Sequence, residues 1–409
     1  METAVAPPPL TQTILPAPVA SPPPQYNLAI GYLRAWVTLM VLAHHAVLAY
    51  CTFAPPPPRS LLAQPRWWGA FPVVDVQRSN IFSVFVLFND RFFMALMFFL
   101  SGLFVWSSLE RKGSKTFLRD RGLRLGIPFI VAAAVIAPLA YYPTYLQIGG
   151  RGVAGYWAQW SALRQWPAGP AWFVWLLLAF DLLAAAIFVL APHSGDLLRR
   201  CSSGAARRPV MFFSGLFAAA ALAYLPLALR YGPLRWTTFG PFYFQTSRLL
   251  LYLVYFFAGV TVGAYSLGRG LLAAGGNLAR RYPLWILACA LAFLASLSAS
   301  TAIVKTPTLA LAIVAFVAFV LSGAASSFAF LACFVRFVKR DHRVFDSLRD
   351  NAYGMYLVHY VFVSWLQYAL LRSALPALAK GSLVFAGTVL LSWAAVAGLR
   401  RIPAVARVI

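Results

Sequence analysis

The first apolar stretch of the chain, Asn27 to Tyr50 (NLAIGYLRAWVTLMVLAHHAVLAY), contains one arginine and two histidines. About twenty apolar residues match the hydrocarbon thickness of a bilayer at 1.5 Å rise per residue, and an ionisable group at that depth must face protein, water or substrate. Arg34 and His45 are eleven residues apart. At about 100° per residue they return to nearly one azimuth, roughly 16 Å apart along the axis. Thr38 shares their stripe, and His44 is turned away by about 100°. A carboxylate would complete an acid–base set around such an imidazole. Only ten Asp and Glu occur in the chain, and the options are Asp75, Asp90 and Asp181. Asp181 lies about nine residues into an apolar run, near mid-membrane, a position that marks either function or a structural partner for an Arg or Trp. Asp90, beside Arg91, reads as an interfacial ion pair.

The elements that must position these groups are helices in a membrane. Hydrophobic residues make up 61% of the chain and charged residues 11%, which points to an all-α, polytopic integral membrane protein rather than a soluble domain. The net charge of +24 reads as loop charge on the cytosolic side, so nucleic acid is not expected as a partner. Cys51, Cys201, Cys289 and Cys333 show no paired spacing, and no disulfide framework or metal site is expected. No Walker loop or dinucleotide fingerprint is visible.

Residues 1–26 hold eight prolines and no Lys or Arg, which predicts a disordered tail without the basic start of a signal peptide. A membrane domain over 27–400 and a short tail over 401–409 follow. Between the first two spans runs a loop, Cys51 to Arg91, with Pro55 to Pro58, Trp67-Trp68, Asp75 and an amphipathic piece around Ile81 to Phe88 that reads as interfacial. Later spans are predicted at Phe92–Leu109, Leu125–Leu146, Ala171–Leu190, Val210–Leu229, Leu249–Leu267, Leu284–Ala302, Leu309–Val335, Ala352–Leu371 and Leu383–Leu399, ten in all with the first. The excess of Lys and Arg falls in the loops on the side of the termini, so both termini are expected in the cytosol. The loops before the second span and between Gln147 and Pro170, rich in Trp, Gly and Pro, could form a lid or acceptor site on the other face.

Arginine, ten residues, then histidine in the first span resembles the signature of the type-3 membrane acyltransferases, the acyltransferase 3 superfamily. RFFMALMFFLSGLFVWSSLERKG followed by FLRDRGLRLGIPF is similar to its second-span motif and the arginine pair after it, here Arg121 and Arg124. GPAWFVWLLLAFD (Gly169 to Asp181) and LRDNAYGMYLVH (Leu348 to His359) are similar to two later family segments. HHAVLAY, the Pro/Trp-rich loop and RFFMALMFFLSG most resemble the branch of glucan-modifying C proteins, which succinylate periplasmic glucans. Many members carry an acidic residue three positions before the arginine, where this chain has Gly31.

The resemblance implies an O-acyltransferase of a bacterial inner membrane, taking an acetyl- or succinyl-type group from cytosolic acyl-CoA to a hydroxyl of an exported or cell-envelope carbohydrate. Histidine suits removal of the hydroxyl proton, or transient carriage of the group as an acyl-imidazole, and both routes stay open. The implied catalytic set is His45, Arg34 and Asp181. Acyl-CoA serves as co-substrate, held by Arg119, Arg121, Arg124 and Trp172, because CoA phosphates call for guanidinium forks. Arg121 and Arg124, three residues apart, would face one side of a short cytosolic helix, although the same cluster also serves as a simple positive anchor. Trp172, Tyr353, Tyr356 and His359 could line the acyl or acceptor path, or simply pack. The competing class is a transporter or flippase with Arg34, His45 and Asp181 as a relay.

Overall fold

The computed structural model describes residues 27–63, 69–191, 193–265, 267–268 and 270–409. The proline-rich tail and Trp67-Trp68 lie outside them. The framework is α1 (Leu28–Leu48), α2 (Asn80–Gly102), α3 (Val105–Gln147), α4 (Trp172–Leu190), α5 (Ser194–Arg207), α6 (Pro209–Tyr231), α7 (Leu249–Gly263), α8 (Tyr282–Lys305), α9 (Leu309–Phe337), α10 (Arg343–Leu370) and α11 (Ala377–Leu399). A hairpin of β1 (Trp236–Phe239) and β2 (Phe242–Gln245) interrupts the helices, turning at Gly240 with φ 56, a left-handed value that glycine accepts without steric cost.

Among the described residues, nine helices are long and apolar enough to cross a membrane. The expected span Ala352–Leu371 belongs to α10, which is long enough but begins nine residues earlier, at Arg343. Its first turns carry Asp346, Arg349 and Asp350, paired with one another through Arg349 at 2.7 and 2.8 Å. Its charge-free remainder is still less apolar than the other long helices, because Tyr353, Tyr356, His359, Tyr360, Gln367 and Tyr368 fall within it.

α1 is the axis of the bundle: 67% of its most apolar window is buried by protein, against 17% in α6 and in α8. Lipid tails are as apolar as leucine, so close backbone approach rather than hydrophobic burial holds such helices together. Gly259-x-x-x-Gly263 on α7 provides it. A Cβ on Gly259 would stand 2.0 Å from the Phe99 carbonyl oxygen of α2, and one on Gly263 would stand 1.9 Å from that of Leu103. Gly102 reciprocates, with Phe256 O 2.2 Å from its would-be Cβ.

α2 corrects the reading of Ile81 to Phe88 as an interfacial piece, because the helix is continuous from Asn80. Asn89, Asp90 and Arg91 looked like a boundary only because their partners are remote in sequence. The Asn89 amide donates to Met40 O at 2.9 Å, Asp90 pairs with Arg248 at 2.5 Å, and Arg91 Nε donates to Ser296 Oγ at 2.9 Å. Asp90 is therefore bound to α7's entry turn and not to its neighbour Arg91.

α3 is turned at Gly113 (φ 74) and includes two π segments, Gly122–Gly126 and Ala132–Ile136. The loop between α1 and α2 folds back on the end of α1. Asp75 N and Arg78 Nη1 both donate to Ala49 O, at 3.2 and 2.9 Å, and Ser79 N donates to Tyr50 O at 2.8 Å, which satisfies terminal helix carbonyls. Lys380 on α11 pins this loop through Asp75, Nζ to Oδ2 at 2.8 Å, with both side chains 1% exposed.

Candidate active site

α1 is an unbroken helix, so the eleven-residue spacing of Arg34 and His45 survives as a shared side. Asn27 starts it by accepting from Ile30 N at 3.2 Å, and Thr38 Oγ1 donates to Arg34 O at 3.0 Å. Arg34 is exposed, its guanidinium 5.9 Å from the centre of the Phe104 ring between α2 and α3. Two residues before it, Tyr32 donates to Asp346 Oδ1 at 2.9 Å, tying the start of α1 to the start of α10.

His45 sits near the other end of α1, half-buried, against α10. Its ring centre lies 5.3 Å from that of His359 and 5.0 Å from that of Tyr360, the latter edge-on. Gln367 on α10 donates to both His45 O and Ala46 O at 3.0 Å, so α10 holds the backbone beneath the histidine as well. His44 goes elsewhere, as its azimuth requires: it stacks on Phe93 of α2 at 4.9 Å, on the side of Asp90 and Arg248.

α10 presents Tyr353, Tyr356 and His359 at three-residue spacing, one stripe of a helix. The Tyr353 hydroxyl donates to Arg124 O at 2.5 Å, and Tyr356 donates to Pro170 O. His359 Nδ1 donates to Tyr356 O at 2.6 Å. The stripe thus runs from the arginine end of α3 to His45, roughly 9 Å along the axis. Tyr243 of β2 donates to Gly169 O at 2.7 Å, and burial holds its phenol well above the usual range, so it remains a donor. A void of about 10 Å³ remains between Ala132, Ala168, Gly169, Tyr356 and Tyr360. A wider apolar groove of about 610 Å³ lies between α3 and α4, lined by Phe129, Ile130, Trp166, Trp175, Leu182 and Phe242, apart from the histidines.

Asp181, the mid-membrane carboxylate, is brought to Arg121 and not to His45: Arg121 Nε lies 3.2 Å from Oδ2. The guanidinium also rests 5.0 Å from the centre of the Phe117 ring. Arg124 is exposed and lies within the π segment Gly122–Gly126 that follows Arg121. Arg119 is exposed, 3.8 Å from Asp120. Trp172 opens α4 at the end away from Asp181, roughly 14 Å along the helix. It stacks on Tyr252 at 5.7 Å and meets Trp236 at 5.6 Å. Phe173 beside it is 5.8 Å from Tyr356.

Each of the three candidate acids has a cation on another part of the chain: Asp75 with Lys380, Asp90 with Arg248, Asp181 with Arg121. Two of those cations escaped the sequence reading. Arg248 precedes an apolar run and looks like an interfacial anchor, and Lys380 sits three residues before the expected start of the last span. Their depth, not their local sequence, makes them buried partners.

The model of the acyltransferase domain family, acyltransferase 3, matches residues 27–397. No curated protein and no solved structure matches the chain. The matched region takes in the helices that carry Arg34, His45, Arg121, Asp181 and His359, and the chain belongs to the acyltransferase 3 family of membrane acyltransferases.

Proposed function

We propose that the protein transfers a short acyl group, of acetyl or succinyl type, from cytosolic acyl-CoA to a hydroxyl of an exported or cell-envelope carbohydrate. The observation that carries this reading is the α10 stripe, which joins the carbonyl of Arg124 to the ring of His45 through Tyr353, Tyr356 and His359. A phosphate-bearing donor at Arg121 and Arg124 has its thioester directed along that stripe. The reading puts the termini and the α3 arginines on the cytosolic side of a bacterial inner membrane, with the loop between α1 and α2 outside, in keeping with the charge asymmetry.

His45 takes the proton of the acceptor hydroxyl as its oxygen attacks the thioester carbonyl. The tetrahedral intermediate then collapses, the C–S bond breaks, and the imidazolium returns the proton to the leaving CoA thiolate. The half-buried Trp172 and Trp236 rings give a carbohydrate an aromatic surface at the outer end.

The test is CoA release by the reconstituted protein with acetyl-CoA and succinyl-CoA, with and without glycan from the parent cells, beside mass spectrometry of surface glycans with and without the gene. Acceptor-dependent thiol release and a matching mass shift are expected. Transport of substrate without any CoA release overturns the reading.

A further inference from the structure

His359 forms the innermost part of the stripe, and its nitrogens are unequal. It is fully buried. Its Nδ1 lies 2.6 Å from the Tyr356 carbonyl oxygen, and a carbonyl only accepts, so Nδ1 carries the hydrogen. The lone pair is therefore on Nε2, which is enclosed and has no hydrogen-bond partner. His45 is complementary. Its Nδ1 is the enclosed, unpartnered nitrogen, which leaves Nε2 to the open side of a half-buried ring.

The two rings stand 5.3 Å apart at 37°. The other neighbours of His45 are already engaged: Tyr360 donates to Gly69 O at 3.0 Å, and His44 is stacked on Phe93. The three candidate carboxylates are committed to Lys380, Arg248 and Arg121.

We propose that His359 is the positioning residue of His45, its Nε2 accepting from His45 Nδ1–H as the site closes on substrate, in the place where a carboxylate stands in the usual triad. The proposal rests on the reading of His45 as the base. The chain of donors runs from substrate hydroxyl to His45 Nε2, from His45 Nδ1–H to His359 Nε2, and from His359 Nδ1–H to the Tyr356 carbonyl. It fixes His45 in the tautomer whose Nε2 lone pair faces the acceptor. A neutral imidazole does this without placing a further unpaired charge in the bundle, where desolvating a carboxylate costs several kcal/mol.

The experiment compares the parent with His359→Leu, His359→Gln and His45→Gln, all checked by thermal unfolding. His359→Leu should lose on the order of 10²-fold in kcat with KM within about threefold, because the base is misdirected while substrates still bind. His359→Gln, whose amide oxygen can accept in the same place, should recover about tenfold of that loss. In parallel, ¹⁵N NMR of histidine-labelled protein bound to a non-hydrolysable acyl-CoA thioether should show His45 protonated at Nδ1 in the parent and a mixture of tautomers in His359→Leu. Unchanged kcat in folded His359→Leu overturns the proposal, as does a glutamine variant no better than leucine, or a His45 tautomer that ignores the substitution. A parent without CoA release, or an active His45→Gln, overturns the reading of the base itself and is told apart by that result.

Discussion

Arg121 Nε lies 3.2 Å from Asp181 Oδ2, joining α3 to the middle of α4 with the aspartate fully buried. Removing one member of a buried pair leaves an uncompensated charge, at about 3–5 kcal/mol, whereas replacing both by apolar residues can be neutral. Arg121→Leu should therefore unfold at clearly lower temperature, and Arg121→Leu with Asp181→Leu should regain much of the loss. If the arginine also holds donor phosphate, the double variant stays folded and loses CoA affinity. Thermal unfolding and calorimetric CoA binding separate the two effects, and full CoA binding by the folded double variant removes Arg121 from the donor site.

The adjacent histidines should separate cleanly. His45→Gln keeps size and some hydrogen bonding but takes no proton at neutral pH, so acyl transfer should fall by about 10²- to 10⁴-fold. His44→Ala loses only its stack on Phe93 and should stay within several-fold of the parent. Acyl transfer by reconstituted protein at matched folding decides it; failure of His44→Ala alone would move the base to the other histidine.

Lys380 and Asp75 are a second buried pair, here between α11 and the loop after α1. Lys380→Met should destabilise by about 3–5 kcal/mol and loosen that loop, because Asp75 also accepts from Gln77 N at 2.8 Å. Limited proteolysis of the loop together with the unfolding midpoint measures this. An intact, equally resistant loop would show that the pair holds nothing.

Gly259 allows no side chain. Gly259→Leu forces α7 away from the Phe99 carbonyl, and the expected result is loss of monodisperse protein in detergent, with Gly263→Leu behaving alike. Normal elution and unfolding of both variants would contradict the close α2–α7 contact.

Sidedness is tested by an impermeant thiol reagent on intact cells. Burial pushes the Cys51 thiol up to about 12, so it stays unreactive at neutral pH, and exposed Cys201 is the background to remove. A cysteine at Leu62 should label and one at Lys115 should not. The reverse pattern inverts the topology.

How much of this was readable beforehand differs by residue. Arg34 and His45 share a helix, and an eleven-residue spacing carries its own geometry, so their common face needed no structure. The spans of α6, α8 and α9 are legible from apolar length alone, and those of α1 and α4 despite the ionisable groups within them. His45 and His359 are 314 residues apart, and nothing local to either says they meet. α2 was cut short in the reading because Asn89-Asp90-Arg91 is locally indistinguishable from a membrane edge; what buries it is Met40, Arg248 and Ser296, each from a distant segment. The π turn that holds Arg124 leaves no mark in hydropathy, so nothing local to it tells it from regular helix.

Gly69, in the loop after α1, offers one carbonyl to two phenols: Tyr141 of α3 at 2.7 Å and Tyr360 of α10 at 3.0 Å. Both lone pairs of that oxygen are in use. The loop, the arginine-bearing helix and the histidine-bearing helix therefore meet at a single atom, as three beams meet at one pin. Lifting the loop by an ångström or two would break both contacts together, freeing Tyr360 from its place against His45 and releasing the far end of the helix that carries Arg121. A shift of this one loop carbonyl is therefore felt at once by the ring beside His45 and by the Tyr141 end of α3.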